Sequence, residues 1–252
     1  MKLFVMSDIH SFYNEMKSAL DSKGFDINNP DHHLVLCGDL FDRGPGAREV
    51  FEFCKELNEA GRLIYIGGNH ETLLFDCIQD IHKRQVGNHH ITNGTIDTIT
   101  QFTGIGKYDL WGGFIDKEKF ALMKEVLDFI ADNAVTFAEI GDYIFVHGWI
   151  PCDPATGKVA DNWETGDWDK AEWLNGMAMW HKGARIPGKT IVCGHWNCSW
   201  SHSHLHQDRK EFPQKNRIDW QKSFEPFIDD GIIAIDACTA YTGFCNCLVL
   251  EV

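Results

Sequence analysis

Leu34-Val35-Leu36-Cys37-Gly38-Asp39-Leu40-Phe41-Asp42-Arg43-Gly44 sets a short apolar run directly against two carboxylates, an arginine and two glycines. An apolar run closed by turn residues reads as a buried strand, so the polar residues that follow sit at its C-terminal end. The same pattern recurs outward along the chain. LFVMSD stops at Asp8, LIYIGGNH at Asn69 and His70, IFVHG at His147, IVCGH at His195 and IIAID at Asp236. Strands of one sheet bring their C-terminal ends to a common rim. That rim gathers Asp, His and Asn side chains, the donor types of a polynuclear metal site.

Between these runs the chain reads as alternating strand and helix from Lys2 to Asp80, which predicts right-handed crossovers and a largely parallel sheet. Gly46 to Ala60 carries Val50, Phe51, Phe53, Cys54 and Leu57 at helical spacing, and Gly61 ends it. A second helix is expected over about 117–132. Val135 to Ile140 and Tyr143 to Val146 read as a hairpin turning at Gly141-Asp142, so part of the sheet system is antiparallel. Residues 84–115 are polar and show no periodicity that assigns them. The expected class is α/β with mixed sheets, in one domain spanning residues 1–252.

A chain of 252 residues and 28.7 kDa can bury a large core. Its formal charge of −14 and isoelectric point near 5.3 exclude extended nucleic acid bound through a broad basic face. A phosphate-bearing partner must therefore be captured locally. Nine cysteines, an odd count without regular spacing, point to a reducing compartment. The apolar runs are strand-sized, and Met1-Lys2 leads straight into the first of them, so neither a membrane span nor a secretory leader is expected. The expected location is cytoplasmic, with no membrane partner.

Two long connections stand out. Residues 149–183 hold five of the nine tryptophans, and residues 196–230 hold three more with a His-Ser-His-Leu-His run. Long connections in a compact fold are usually functional, so both are read as covers that set substrate choice, a small second core being the plain alternative. His202, His204 and His206 alternate as ligands on a strand face would, but without a nearby carboxylate a polar loop is expected. Cys245 and Cys247 read as thiols of the last strand, and Asn93-Gly94 as a turn.

The motifs differ in what they demand. Asp8 and His10, two apart, share one side of an extended segment. The arginine fork of Arg43 beside Asp39 and Asp42 suits an oxyanion held next to metals, although a solvated turn with an internal Asp–Arg pair would use the same residues. Asn69 serves equally as a helix N-cap and as a neutral oxygen ligand, and Glu71 suits a first helical turn. His70 could donate a proton to a leaving group if a carboxylate raised its pKa.

Taken in order, DIH, GDLFDRG, GNHE, HGW and GHW span residues 8 to 196. This set resembles the phosphoprotein phosphatase branch of the calcineurin-like metallophosphoesterases, which includes bacterial and phage serine/threonine phosphatases and the symmetrical diadenosine tetraphosphatases. The resemblance implies a two-sheet mixed β-sandwich flanked by helices, with a two-metal site at the strand ends. It makes Asp8 and His10 ligands of a first metal, Asp39 a bridge, and Asn69, His147 and His195 ligands of a second. It makes His70 a proton donor held by Asp42, and Arg43 a phosphate clamp. A second clamp is expected at Arg185, the only arginine between His147 and His195, with Lys182 as its competitor. Where the family often has Ile-Asp-Thr-Gly, this chain has Ile235-Asp236-Ala237-Cys238, which leaves Asp236 a strand-end residue.

A donor set of oxygen and nitrogen without thiolate suits two divalent cations, manganese first and iron or zinc as alternatives. The implied nucleophile is a hydroxide shared by both. The expected activity is a metal-dependent phosphoesterase, foremost a serine/threonine-type protein phosphatase acting on phosphomonoesters. The alternative is a nucleotide hydrolase of the diadenosine tetraphosphatase kind or a polynucleotide-end phosphatase. The implied partner is a phosphorylated protein, a small phosphoester or a nucleotide.

Overall fold

In the computed structural model, which describes residues 1–114, 116–205 and 221–252, the apolar runs become strands of two five-stranded sheets. The first sheet aligns β1 (Lys2–Met6), β2 (His32–Cys37), β3 (Leu63–Ile66) and β4 (Ala134–Val135) in parallel, with β10 (Leu248–Glu251) antiparallel along β1. In the second, β6 (Tyr143–Phe145), β7 (Thr190–Cys193) and β9 (Ile232–Ala234) run parallel at the centre. Antiparallel β5 (Ala138–Ile140) and β8 (Phe227–Asp229) form its edges. Both sheets are mixed, as expected.

Strands buried on both faces explain why the runs lack alternation. Leu3, Val5, Val35, Cys37 and Ile66 point between the sheets and meet Phe145, Val192 and Ile233. Phe4, Met6, Leu34 and Leu36 point the other way, against α1 (Tyr13–Ser22), α2 (Ala47–Glu59), α3 (Asn69–Lys83), α5 (Thr95–Thr103) and α7 (Phe120–Asn133). The outer face of the second sheet packs on Trp149, Met177 and Trp180, with Trp163, Trp168 and Trp200 half-buried against them. The tryptophan-rich segments thus mainly supply a fourth layer. This favours the second-core alternative for most of these tryptophans, because a second sheet leaves an outer apolar face that something must bury. Trp173 and Trp196 are the exceptions, exposed beside His195. Trp220 and His206 lie outside the described residues.

Two expectations change. Residues 84–115 contain α4 (Asn88–Thr92), α5 and α6 (Lys107–Trp111), helices of 5, 9 and 5 residues that are too short to display a period. The expected strand from Val135 to Ile140 is two strands in different sheets. Val135 pairs with Ile66, and the chain then crosses to the second sheet, with the Phe137 ring stacked on Trp168 at the crossing, 5.2 Å between centroids. Ile140 still faces Tyr143 across the predicted turn. All nine cysteines are free thiols. Among the described residues no helix is long and apolar enough to cross a membrane.

Candidate metal centre

The strand ends of both sheets meet at one rim. Asp8, after β1, accepts the His195 N–H at 2.9 Å, and His147, after β6, donates through Nδ1 to the Cys37 carbonyl at 2.8 Å. The backbone there is unusual. Asp8, His10, Ser11, Asp39, Asp42, Arg43 and His195 all adopt positive φ, between 50° and 75°. Seven of the nine non-glycine residues with positive φ among the described residues therefore lie in the motif loops, each at a cost of ~1–2 kcal/mol. Such strain persists only where the surroundings over-determine it, and it collects at functional sites.

The over-determination is visible. His10 N donates to Asp39 O at 3.0 Å, Ser11 N to Leu40 O at 2.7 Å and Gly44 N to His10 O at 2.8 Å. The buried Glu71 carboxylate accepts from Asp39 N (3.0 Å), Leu40 N (2.9 Å) and Gly68 N (2.7 Å), tying the loop after β2 to the start of α3. Gly68 is required by proximity, since a Cβ there would run into Asp39 Oδ1.

A carbonyl can only accept, so the contacts of His10 Nδ1 with Phe41 O (3.0 Å) and of His147 Nδ1 with Cys37 O fix both tautomers. Each ring then aims Nε2 into the rim. Asp39 turns one oxygen to each side: Oδ2 lies 3.7 Å from His10 Nε2 and 3.9 Å from His70 Nε2, while Oδ1 lies 3.3 Å from His147 Nε2. Two donor groups result, His10–Asp39–His70 and Asp39–His147–His195, each with its ligand atoms within 4.8 Å and sharing Asp39. Asn69 Oδ1 joins the second group, 2.8 Å from His147 Nε2. His147 Nε2 faces two oxygens at once, an arrangement that calls for a proton or a cation between them. The residues present fit a pair of divalent cations.

The electrostatics agree. Burial alone would raise Asp39, but His147, His70 and His10 hold it below the usual carboxylate range. Burial would lower His147, but the Asp39 and Asp8 carboxylates push it up to about 9. Burial takes His10 down to about 3 despite Asp39, with Arg43 adding to the effect, and burial with His147 takes His195 to about 4. Burial raises Asp8 to about 6.

On the flank, His70 Nδ1 lies 2.7 Å from Asp42 Oδ2. The fully buried Asp42 carboxylate also accepts from Thr95 Oγ1 and Thr98 Oγ1, each at 2.8 Å. Burial would lower His70, yet Asp39 and Asp42 raise it. Arg43 reaches in from the mouth, with Nη2 3.1 Å from His70 Nε2 and Nη1 against His10 Nε2. Thr95 and Thr98 escape sequence reasoning because nothing in their spacing from Asp42 foretells that α5 docks there. Asn93-Gly94 offered the one signal. Gly94 has φ +87°, and a Cβ on it would sit 2.5 Å from Arg43 N, so this turn must be glycine to dock.

Of the expected site residues, Asp8, His10, Asp39, Asp42, Arg43, Asn69, His70, His147 and His195 come together. Arg185 does not. Its guanidinium lies over the Trp180 ring, 4.7 Å from the centroid, and near Gly231 at the start of β9. That is the opposite end of the sheet from His195, one four-residue strand or ~13 Å away. Lys182 Nζ bonds the Pro154 carbonyl at 2.5 Å instead. His202 and His204 lie on the short helix Ser199–His204, where residues two apart diverge, and the His204 ring stacks on Trp200. Cys245 and Cys247 are buried against the helical layer just before β10. Asp236 accepts from Cys238 N at 2.6 Å, and burial and Asp8 hold it well above the carboxylate range.

Beside His147 opens a cavity of about 250 Å³, walled by Thr72, Phe75, Trp149, Trp168 and Glu172. A family model described as calcineurin-like phosphoesterase matches residues 1–225. The asymmetrical bis(5′-nucleosyl)-tetraphosphatase of Bacillus subtilis is 40% identical over 77 residues, 28% of this chain and 32% of that protein. The symmetrical bis(5′-nucleosyl)-tetraphosphatase of Erwinia tasmaniensis is 40% identical over 86 residues, 34% and 30% of the two chains. The chain thus spans about a third of the length of these curated relatives. The cold-active protein-tyrosine phosphatase of a psychrophilic Shewanella shares the fold, with a TM-score of 0.51 at 19% identity over 99% of this chain and 75% of that one.

Proposed function

This chain belongs to the calcineurin-like phosphoesterase family, and on that premise we propose that it is a metal-dependent hydrolase whose substrate is a bis(5′-nucleosyl) polyphosphate, cleaved at a phosphoanhydride bond. The observation that carries this reading is that relatives 40% identical over 77 and 86 residues of the chain include tetraphosphatases of both the asymmetrical and the symmetrical kind. The motif order put phosphoserine and phosphothreonine first. The relatives move the weight to the nucleotide. The cavity beside His147 supports it, because the half-buried Phe75 and Trp168 offer aromatic walls to a base, as stacking requires.

His10 and Asp39 on one side, with Asp8 added by the motif resemblance and His70 kept as proton donor, and Asp39, Asn69, His147 and His195 on the other, would hold two divalent cations, manganese being our first choice for such donors. When bound, these neutralise phosphate charge and lower the pKa of the attacking water towards neutrality. His70 would supply the leaving-group proton: Asp42 accepts from its Nδ1, and Nε2, which faces Arg43 Nη2 at 3.1 Å, would carry the proton once Arg43 turns to the substrate. Arg43 supplies the fork that steadies the phosphoryl oxygens.

The test is a substrate panel of diadenosine tetraphosphate, a phosphoserine peptide and end-phosphorylated oligonucleotides, with products separated by anion exchange. Diadenosine tetraphosphate should be preferred by at least ~100-fold in kcat/KM. ADP as sole product would mark symmetrical cleavage, and AMP with ATP asymmetrical cleavage. Faster turnover of the phosphopeptide would overturn the proposal and restore the protein phosphatase.

A further inference from the structure

A third grouping of metal-binding side chains lies away from this rim. Asp80, near the end of α3, and His89 and His90, at the start of α4, bring one carboxylate oxygen and two ring nitrogens within 4.8 Å of one another. His90 is fully buried. Its Nε2 stands 3.3 Å from Asp80 Oδ2. That is longer than the usual N–H···O range of ~2.7–3.2 Å. This length fits a long hydrogen bond and equally matches the separation of two ligands on a tetrahedral zinc, ~3.4 Å for bonds of ~2.0–2.1 Å.

His89 is exposed at the surface yet turned inward. Its ring packs on that of His90 with centroids 3.9 Å apart, and a Cβ on Gly87 would come within 2.6 Å of its Cε1 and Nδ1. Gly87 has a φ of −77°, which any residue adopts, so what its lack of a Cβ provides is room for the imidazole in this position. Asp76, one turn before Asp80 on α3, adds a second carboxylate to the same helix face.

We propose that Asp80, His89 and His90 form a separate binding site for one divalent transition metal, zinc foremost, with water completing its coordination. Two imidazoles and a carboxylate are a recurrent zinc set. The ion would clip α4 to α3. Because α4 runs directly into Gly94, which packs close to the Arg43 backbone, and on to Thr95 and Thr98, which donate to Asp42, the clip would brace the support of the proton donor without touching substrate.

The test counts zinc. Chelator-stripped full-length protein is dialysed against buffered zinc and its bound metal measured by mass spectrometry, for wild type, His89→Ala and Asp80→Asn. His89 is exposed and Asp80 half-buried, so both variants should fold, which circular dichroism checks. Each should bind one equivalent less than wild type, since the rim contributes equally in all three. At free zinc ~100-fold above the dissociation constant, the zinc-dependent gain in Tm should also be smaller by ~5–10 °C. Equal zinc content and equal Tm gain in folded wild type and variants would overturn the site.

Discussion

Glu71 is the residue on which the rim's geometry turns, and its replacement gives a sharp expectation. Oε2 accepts from Asp39 N and Gly68 N, Oε1 accepts from Leu40 N, and the side chain is buried. Glutamine retains one oxygen, so Glu71→Gln can keep the two bonds at Oε2 but sets an amide N–H against that of Leu40. Losing one charge-assisted bond and orphaning its donor costs ~2–3 kcal/mol. In a chain of this size that lowers Tm by ~4–12 °C. Glu71→Ala orphans three buried N–H groups at ~1–3 kcal/mol each, a loss comparable to the whole stability of a typical domain, ~5–15 kcal/mol. It should not accumulate as folded protein. The assay is a thermal melt by circular dichroism on stripped and metal-loaded protein, with metal content measured alongside. Glu71→Gln should also bind metal more weakly, because the Asp39 backbone loses a tether that keeps it in a left-handed conformation. A melt within 2 °C of wild type with unchanged metal content would refute the claim that Glu71 sets the loop, since each lost bond is expected to shift Tm by more than ~2 °C.

Four further outcomes follow from the site. His70→Asn should retain its metal and lose ~10²–10⁴-fold in kcat on an alkyl phosphate, but far less on p-nitrophenyl phosphate, whose leaving group needs little protonation; equal losses on both would remove the proton-donor role. Thr98→Val takes one hydroxyl from Asp42 and should show the same substrate ordering at ~10-fold, with normal metal content; a loss that ignores the leaving group would mean general disruption instead. Asp39→Asn should deplete both bound metals together while Asn69→Ala depletes one, as read by metal analysis. Glu172, half-buried in the cavity, is pushed up from 4.5 to about 7 by burial, so the folded state disfavours its charge. The stability present below pH 4.5 is thus lost as pH rises through about 7, by ~1 kcal/mol once solvent screening is allowed for. Glu172→Gln should flatten that fall in stripped protein, and an unchanged pH–Tm profile would count against it.

What the sequence displays and what it hides have a common physical cause. Asp8, Asp39, Asn69, His147 and His195 are legible because each follows a strand buried on both faces, and such a strand leaves its first polar residue at a known place. His70 and Asp42 pair as expected for the same reason. Thr95 and Thr98 are hidden because they reach Asp42 across 53 and 56 residues, through a nine-residue helix whose docking no local pattern records. Arg185 shows the opposite failure. Being the only arginine in its stretch says nothing of which end of the sheet it reaches, and Trp180 draws its guanidinium to the far one. The tryptophans mislead through composition, since aromatic side chains serve a second core as readily as a binding wall.

The positive φ values explain why the rim needs so many ties. No single loop would hold Asp8, His10 or Asp39 in left-handed backbone, because each is disfavoured by ~1–2 kcal/mol and no glycine relieves it. The loops hold one another instead: Asp39 O takes the His10 N–H, Glu71 takes the Asp39 N–H, and Asp8 takes the His195 N–H from the second sheet. Asp39 is therefore placed by residues from both neighbouring loops before any cation is considered, and its two oxygens are divided between two donor groups by backbone geometry alone. Sharing of Asp39 is a consequence of how the strand ends are tied. Cations bound at both groups would add their binding free energy to the same ties. Metal removal should accordingly loosen the rim before it loosens either sheet, and amide exchange should quicken first at Asp39, Leu40 and His195.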